Sequence, residues 1–500
     1  MKVNNFSEFS RQNPKGILLN YLMLLYRIIK SSWVLIPIFF TSKRDNFNYT
    51  FIYGSIAVLA VVLLVISILM YLNFKFKIKD NYFILKHGIL NKTNTSIAFE
   101  RIQNINFKQN IFQQILGVTQ VEIETAGAKK TEVLIKALTK EKALALKESI
   151  LEKKHEYLDK IQITEPAKKK YLIKLSLLQL AKVSISENHF KSLGIAIGLY
   201  ISLTSQLGEY VKGWKFENLI DGGVDYISNN TETISNSFYI IGSLVLIGII
   251  FSIIVSTVIV FLFHFNLTLS VKNGALEITQ GLFTKRNNIL KKEKVQYITL
   301  SANPLKKLMK INSIFFKQAS SEGQKKKKQI RVVGSKKEQN EALKELLFNE
   351  NNFDDLETYK PHNYYIYQIT IRNLLFILLV NVAAYIFMYP NNSLYINILI
   401  LPIVGLLSYY KYKKCYFKIN KNMLIKGFGS LETHTTFFEY FKIQNIKLKQ
   451  TIFQKRAGVM NLVLQTASGK IKIPCIPKED AFVLYNHILK KSQTSRKSWI

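Results

Sequence analysis

The stretch Arg101-Ile-Gln-Asn104 occurs three times in the chain, at the same place in three related segments. Its counterparts are Lys294-Val-Gln-Tyr297 and Lys442-Ile-Gln-Asn445. In each segment the basic residue stands thirteen positions after a glycine, and these glycines are Gly88, Gly281 and Gly429. A fixed spacing that recurs in this way indicates an internal repeat. We name the three segments copy A (residues 73–155), copy B (264–349) and copy C (411–491).

Further landmarks keep the same register in all three copies. Nine residues after the motif glutamine comes a large apolar residue, and these are Phe112, Leu305 and Phe453. An alanine follows 23 residues after the glutamine, at Ala126, Ala319 and Ala467. Fourteen residues after it, copies A and C have Gly117 and Gly458, whereas copy B has Lys310. The copies therefore predict one fold used three times, with copy B the most divergent.

Each copy has the pattern of several short strands followed by one helix. In copy A, KFKIKDNYFIL at residues 75–85 alternates as a half-buried strand does, and VEIETA ends at a turn glycine. Helical spacing of apolar residues appears at residues 139–154, 335–348 and 477–491. The pattern predicts a bent β-barrel or sandwich with a C-terminal helix in every copy.

Apolar segments precede the copies in pairs. Residues Tyr49–Leu72 and 238–263 contain no charge and exceed the roughly 20 residues that span a bilayer. Weaker segments lie at residues 31–42, 192–207, 373–389 and 394–410, and the first follows an amphipathic stretch at 17–30. Six segments in three pairs predict a multi-pass α-helical membrane protein that carries three β-rich domains.

The resulting organisation alternates membrane helices with copies. It comprises residues 1–72 (amphipathic helix and first helix pair), 73–155 (copy A), 156–263 (linker and second pair), 264–349 (copy B), 350–410 (linker and third pair), 411–491 (copy C) and 492–500 (tail).

Charge predicts the orientation and the partners. Lys and Arg total 69 against 33 Asp and Glu, a net charge of +36. Because basic segments favour the inner side of a membrane, we expect the copies and both termini on the cytoplasmic side of the cell membrane. Lys325, Lys326, Lys327 and Lys328 form the strongest candidate contact with an anionic leaflet. A hydrophobic fraction of 48% and the absence of nucleic-acid-binding motifs argue against a nucleic-acid partner.

The residues needed for common chemistries are sparse. Two cysteines exclude a disulfide scaffold and a cysteine-based zinc site, and seven histidines are scattered without metal-ligand spacing. Neither a P-loop nor a nucleophile elbow is present. We therefore predict no catalytic residue, no metal and no cofactor.

Several stretches together resemble one known family. Two apolar helices followed by ERIQNI at Glu100–Ile105, FQQILG at residues 112–117 and VEIETAG at residues 121–127 resemble the bacterial PH-domain membrane proteins of the YdbS/YdbT-like group. The resemblance covers nearly the whole chain. It implies PH-like domains, each a bent barrel of two sheets capped by a helix, and it implies no enzymatic activity.

The repeat motif has two interpretations. The motif could be a ligand-reading strand, which also carries Gln103, Gln296 or Gln444, with Arg101, Lys294 and Lys442 binding an anion. Alternatively the motif is structural, a strand edge that joins two sheets, in which the glutamine satisfies backbone groups; this interpretation is favoured. Gly117 and Gly458 are predicted turn residues that need a positive φ.

We predict a non-enzymatic integral membrane protein whose three cytoplasmic PH-like domains bind lipid headgroups or a membrane partner, for example a paralogous PH-domain protein. The family context suggests envelope maintenance or stress tolerance. The alternative is a component of a membrane transporter or exporter, for which six spans suffice. Against that alternative, no Asp or Glu lies within an uncharged span, where a coupled transporter usually has one.

Overall fold

The computed structural model describes residues 6–32, 49–125, 133–158, 170–187, 194, 234–272, 274–319, 329–350, 353, 356–388 and 396–495. The described residues form four β-sheets and two compact units. The first unit contains copy A, the helices beside it and the segment Gln280–Asn288 of copy B. The second unit contains copy C and most of copy B.

Copy A and the segments before it consist of two strand groups separated by a short 3-10 helix. The elements are β1 (Ser10–Arg11), α1 (Gly16–Ser32), α2 (Tyr49–Leu72), β2 (Lys75–Lys79), β3 (Tyr82–His87), β4 (Thr93–Ala98), the 3-10 helix Phe99–Arg101, β5 (Ile102–Gln109), α3 (Ile111–Ile115), β6 (Thr119–Thr125), β7 (Val133–Leu138) and α4 (Lys140–Leu158). All strand pairs in these groups are antiparallel. Their inward-facing residues, among them Phe76, Phe83 and Val121, form one core with α4 residues such as Leu146.

Copy B repeats this order. Its elements are β8 (Lys170–Lys174), α5 (Leu177–Ile185), α6 (Ile234–His264), β9 (Thr268–Lys272), β10 (Ala275–Gln280), β11 (Lys285–Lys291), the 3-10 helix Lys292–Lys294, β12 (Val295–Ala302), α7 (Pro304–Leu308), β13 (Asn312–Gln318), β14 (Gln329–Ser335) and α8 (Lys337–Phe348).

Copy C repeats it again and has its own core around Phe438, Leu464 and Ile488. Its elements are β15 (Thr358–Tyr359), α9 (Tyr364–Met388), α10 (Ile396–Lys413), β16 (Tyr416–Ile419), β17 (Met423–Gly429), β18 (Thr433–Glu439), the 3-10 helix Tyr440–Lys442, β19 (Ile443–Lys449), α11 (Ile452–Arg456), β20 (Val459–Thr466), β21 (Gly469–Pro477) and α12 (Lys478–Thr494).

Local sequence explains the short helix after each motif strand. The Asn110 side chain accepts a hydrogen bond from the backbone N–H of Gln113, and the Gln113 side chain accepts one from the backbone N–H of Asn110. Thr451 and Gln454 form the same capping box at α11. These reciprocal bonds satisfy backbone donors that a five-residue helix would otherwise leave open, so they fix where α3 and α11 begin. In copy B the Asn303 side chain accepts from the N–H of Lys306 without a reciprocal bond.

Each repeat also contains a strand before its apolar helices, which the sequence pattern does not predict. Strand β1 pairs with β2, β8 with β9 and β15 with β16. Two of these strands have only two residues, which is too short for a periodic pattern to reveal them. The repeating unit therefore starts before the apolar helices, and in each copy described apolar helices lie along the chain between these two paired strands.

The predicted class of a multi-pass α-helical membrane protein is wrong. The described residues form mainly β-sheet domains, and two of their helices are long and apolar enough to cross a membrane, over Tyr53–Leu72 and Leu246–His264. The apolar window of α9, Tyr364–Leu379, is shorter. Apart from Ser31, Ser32 and Gly194, the predicted spans 31–42 and 192–207 lie outside the described residues.

This prediction is wrong because short apolar runs resemble membrane spans in hydropathy. A bilayer core requires about 20 consecutive apolar residues. Helix α9 contains Arg372, and α10 contains Pro402 and ends in two lysines. Hydropathy over the 12 to 17 residues of these segments does not separate such helices from true spans.

Candidate anion-binding pocket

A pocket in the second unit lies where α9 and α10 meet the strands β17 and β21 of copy C. Its cavity volume is about 200 Å³. Pockets for drug-sized ligands have roughly 300–1,000 Å³, so this one suits a small polar group rather than a large organic molecule. Tyr365 and Gln368 from the first turns of α9, and Phe428 from β17, form part of its wall.

The lining is strongly basic. Four of its ten residues are Arg372, Lys411, Lys426 and Lys472, and none of the ten is acidic. Burial lowers the pKa of Lys426 below its ordinary value, and the nearby charge of Lys472 lowers that pKa as well. Cations gathered without a carboxylate repel one another. An anion in the pocket would relieve this repulsion, so the arrangement is suited to an anionic group.

Lys426 occupies a position that the other copies use for their core. It stands three residues before the repeat glycine Gly429. The residues three before Gly88 and Gly281 are Leu85 and Ile278, which are almost completely buried. The register agrees, because Lys426 pairs with Phe417 as Leu85 pairs with Phe76. Copy C therefore replaces a core aliphatic residue with a lysine whose ammonium lies 4.8 Å from the centre of the Phe428 ring.

Backbone and side-chain hydrogen bonds hold the wall of the pocket in place. The N–H of His362 donates to the carbonyl oxygen of Cys475 over 2.8 Å, which ties the start of α9 to β21. The Cys475 thiol donates to Gln368 Oε1 over 3.4 Å. Further along the helix pair, Asn373 Nδ2 donates to Ser408 Oγ over 3.0 Å. The pocket is therefore built by residues that also set the register of α9 and α10.

The two cysteines near the pocket are unsuited to reaction. Both are buried free thiols. Burial raises the pKa of Cys415 to about 11 and raises the pKa of Cys475 as well. A thiol reacts and binds metal as the thiolate, which these environments disfavour at neutral pH. Among the residues that the structure describes, no group of three or more His, Cys, Asp or Glu is placed to hold a metal ion.

The predicted motif cations lie in three different environments. Arg101 ends the 3-10 helix of copy A and is exposed, and Lys294 is half-buried at the same point of copy B. Lys442 is 5% exposed, forms an ion pair with Glu439 over 2.9 Å and donates to the carbonyl oxygen of Val295 over 2.6 Å. The structure does not bring these residues together into one site, and none of them lines the basic pocket.

The motif glutamines and the predicted turn glycines are also separate from the pocket. Gln103 lies in β5, Gln296 is fully buried in β12, and Gln444 is exposed on β19. Gly117 and Gly458 have φ angles of +69° and +65°, and each follows the C-cap residue of a five-residue helix. The predicted lipid contact at Lys325, Lys326, Lys327 and Lys328 lies outside the described residues.

Comparison with known proteins shows what the three copies are. The model of the bacterial PH domain matches residues 26–154, 234–351 and 373–492, which is well over half of the chain. The chain belongs to the bacterial PH-domain family. The family resemblance inferred from the repeat motifs is therefore confirmed.

A curated relative extends the likeness over the whole length. UPF0699 transmembrane protein YdbT of Bacillus subtilis (strain 168) is 23% identical over 514 residues, which cover 96% of this chain and 98% of the relative. The three bacterial PH-domain matches, the transmembrane relative and the two long apolar helices identify a membrane-associated PH-domain protein. Neither the family description nor the relative's name specifies an enzymatic activity.

The pocket of this bacterial PH-domain chain was missed because its cations are far apart in sequence. Arg372 and Lys411 belong to two helices, and Lys426 and Lys472 to two strands. No local motif joins such residues. One signal was available, since aligning the three copies on their glycines places Lys426 opposite Leu85 and Ile278.

Proposed function

We propose that this protein is a non-enzymatic, membrane-anchored PH-domain protein whose third domain binds the phosphate of an anionic lipid headgroup. The observation that carries the proposal is the pocket lined by four basic residues and no acidic one. A phosphate accepts several hydrogen bonds and pairs well with Arg and Lys together. The small cavity volume fits a headgroup rather than a whole lipid.

The surroundings of the pocket favour a lipid over a free anion. Arg372 belongs to α9, whose neighbouring residues Ile371, Leu374 and Leu375 are exposed apolar side chains. Exposed apolar surface of this kind is suited to contact with acyl chains. A lipid with its tails along α9 would place its phosphate beside Arg372, whereas inorganic phosphate would gain nothing from the apolar residues.

Attachment to the membrane rests on two helices. Only 11% of each apolar window, Tyr53–Leu72 and Leu246–His264, is buried within the protein. The core helix of a soluble protein would be mostly buried, so these helices are free to lie in lipid. The net charge of +36 supports a cytoplasmic location of the PH domains, because basic segments are retained on that side. We expect an added protease to digest copy C in inside-out membrane vesicles but not in intact cells.

The binding test uses the purified full-length protein in nanodiscs. We expect retention of phosphatidylglycerol over phosphatidylcholine, measured by native mass spectrometry, and no comparable retention of inorganic phosphate. The variant Lys426→Leu restores the aliphatic residue of the other copies and should lower phosphatidylglycerol retention about tenfold, the effect of losing one buried charge contact.

A matched control separates a specific site from general charge attraction. Lys490→Gln removes an exposed lysine of α12 that does not line the pocket, so it should leave lipid retention unchanged. Equal losses in the Lys426 and Lys490 variants would contradict a site in the pocket. Retention of inorganic phosphate equal to that of phosphatidylglycerol would identify a free-anion site and overturn the lipid proposal.

A further inference from the structure

Strands of successive copies pair with each other at two places. In the first unit, β11 pairs antiparallel with β5, through Lys285↔Gln109 and Asn287↔Phe107. In the second unit, β18 pairs antiparallel with β12 from Thr433↔Ala302 to Phe438↔Tyr297. In both cases the last strand before the 3-10 helix of one copy joins the motif strand of the preceding copy. We call these two strand pairs the junctions.

The two junctions use the same register. Lys285 and Thr433 each stand four residues after the repeat glycine. Their partners Gln109 and Ala302 each stand six residues after the motif glutamine. Two independent strand pairs with one register are unexpected by chance, because sliding a strand by one residue would reverse its faces. The junction is therefore a property of the repeat and not of one particular copy.

Side chains reinforce the junction between copies B and C. The buried ammonium of Lys442 donates to the carbonyl oxygen of Val295 over 2.6 Å while it pairs with Glu439. The Thr433 hydroxyl donates to the carbonyl oxygen of Ala302 over 2.9 Å. Lys442 is the basic residue of the repeat motif, so in this junction the motif cation binds the motif strand of the preceding copy.

The same two types of strand also lie at sheet edges among the described residues. In the described part of the chain, β4 pairs with β3 as the last strand of its sheet, and β19 pairs with β20 as the last strand of its own. Gln444, Asn445 and Lys447 of β19 are exposed. Strand β4 is the counterpart of β11 and β18, and β19 is the counterpart of β5 and β12.

We propose that β19 of one chain pairs with β4 of a second copy of this chain, which forms a third junction in the register of the two internal ones. The expected partners are Lys92↔Gln450, Thr93↔Lys449 and Asn94↔Leu448. In this third junction, Arg101 of the second chain takes the place that Lys442 has in the junction between copies B and C. It donates to the carbonyl oxygen of Ile443 in the first chain. Each chain then gains strand pairing at an edge that no other described strand occupies.

The lysines of β19 do not oppose this pairing. Alternating lysines are a common protection of an edge strand against association. In the first unit, however, Lys108 of β5 lies opposite Arg286 of β11 and the two strands pair all the same. The internal junction thus tolerates a cation opposite a cation, and Lys449 opposite Thr93 is less demanding. Because the contact joins two different surfaces of the protein, it produces a ring or an open filament of protein molecules rather than a closed dimer.

Disulfide crosslinking between differently tagged full-length chains tests the register. One chain carries Thr93→Cys and the other Lys449→Cys, and a second pair carries Asn94→Cys and Leu448→Cys. Opposite residues of an antiparallel pair have Cα atoms about 4.5–5.5 Å apart, within the range that a disulfide bridges. The native thiols Cys415 and Cys475 are buried, so they give little background. We expect a mixed-tag dimer for at least one pair in membranes under mild oxidation.

Three further variants make the test decisive. Thr93→Cys combined with Lys470→Cys, on the opposite outer strand β21, should not crosslink. Arg101→Glu should reduce the crosslink at least fivefold, whereas Arg101→Lys should preserve it, because the other two copies have lysine there. Folding is checked by the elution volume and unfolding midpoint of each variant. Absence of crosslinking in folded protein, equal crosslinking of the Lys470 control, or crosslinking of β19 to a different protein alone would overturn the proposal.

Discussion

Copies B and C have the same strands, but the surroundings of their motif strands differ. Strand β12 lies between β13 and β18, whereas β19 pairs with β20 alone among the described residues. The motif glutamine is accordingly buried in copy B, as Gln296, and exposed in copy C, as Gln444. The motif glutamine therefore differs in burial between copies B and C, and its role depends on which strand lies beside it.

The interior of the two copies differs as well. At the position three before the repeat glycine, copy B buries Ile278 and copy C has Lys426 beside the basic pocket. The same fold therefore accommodates an aliphatic residue in one copy and a cation in the other at this position. Residues that build the repeat are therefore distinct from residues that differ between its domains.

The largest effect is expected for Lys442→Met. The substitution leaves Glu439 without its ion pair at a poorly exposed position and removes the bond to Val295 across the junction. Breaking a buried pair from one side costs about 3–5 kcal/mol. We expect the free energy of unfolding to fall by this amount in denaturant titrations followed by circular dichroism.

The control for this prediction is the double variant Lys442→Met with Glu439→Leu. Removing both charges leaves no unpaired carboxylate, so most of the loss should be recovered. If the double variant were as unstable as the single one, the ion pair would not be the source of the stability.

The next effect contrasts the two motif glutamines. Gln296→Ala removes a fully buried side chain between two strands and should cost about 2 kcal/mol. Gln444→Ala changes an exposed residue and should alter stability by less than about 0.5 kcal/mol. The unfolding midpoints of the two variants are compared in detergent-solubilised protein. Similar losses for both would show that burial does not distinguish the copies.

Sequence alone predicts the repeat well and the contacts between repeats poorly. Spacing between Gly88 and Arg101 and its two counterparts indicates three copies, because a repeat is a property of local sequence. The junctions depend on pairing between distant segments, such as Thr433 with Ala302, and no local pattern specifies such a partner. The basic pocket has the same origin, since Arg372 and Lys472 meet only through the packing of α9 against β21.

The third prediction concerns the pH dependence that Lys426 introduces. Burial lowers its pKa in the folded protein, so between that pKa and 10.5 the unfolded chain binds more protons and stability rises with pH. Anion affinity should change in the opposite sense, because Lys426 loses its charge over the same range. We expect phosphatidylglycerol retention to fall as the pH rises towards 10.5.

In the Lys426→Leu variant, the contribution of residue 426 to the pH dependence of stability and of lipid retention should disappear. The free energy of unfolding at pH 7 should increase by about 1 kcal/mol, because a desolvated cation is removed. Titration of lipid retention and of the unfolding midpoint between pH 7 and pH 10 measures both. A variant with the same pH dependence as the original protein would assign the effect to other lysines.

The smallest effect is expected at the turn after the short helix, where copy B departs from copy C. Lys310 has a φ of +54°, while its counterpart Gly458 has +65°. In this left-handed region a residue with a Cβ atom is destabilised by about 1–2 kcal/mol relative to glycine. Glycine loses more conformational entropy on folding, which offsets roughly half of that advantage. Lys310→Gly should therefore stabilise the protein by about 0.5 kcal/mol, and Gly458→Ala should destabilise it by about 1 kcal/mol. Opposite shifts of the unfolding midpoint are the expected result. Because a Cβ atom at Gly458 would meet open space, a loss there reflects backbone conformation alone, and equal signs for the two variants would contradict the equivalence of these turns.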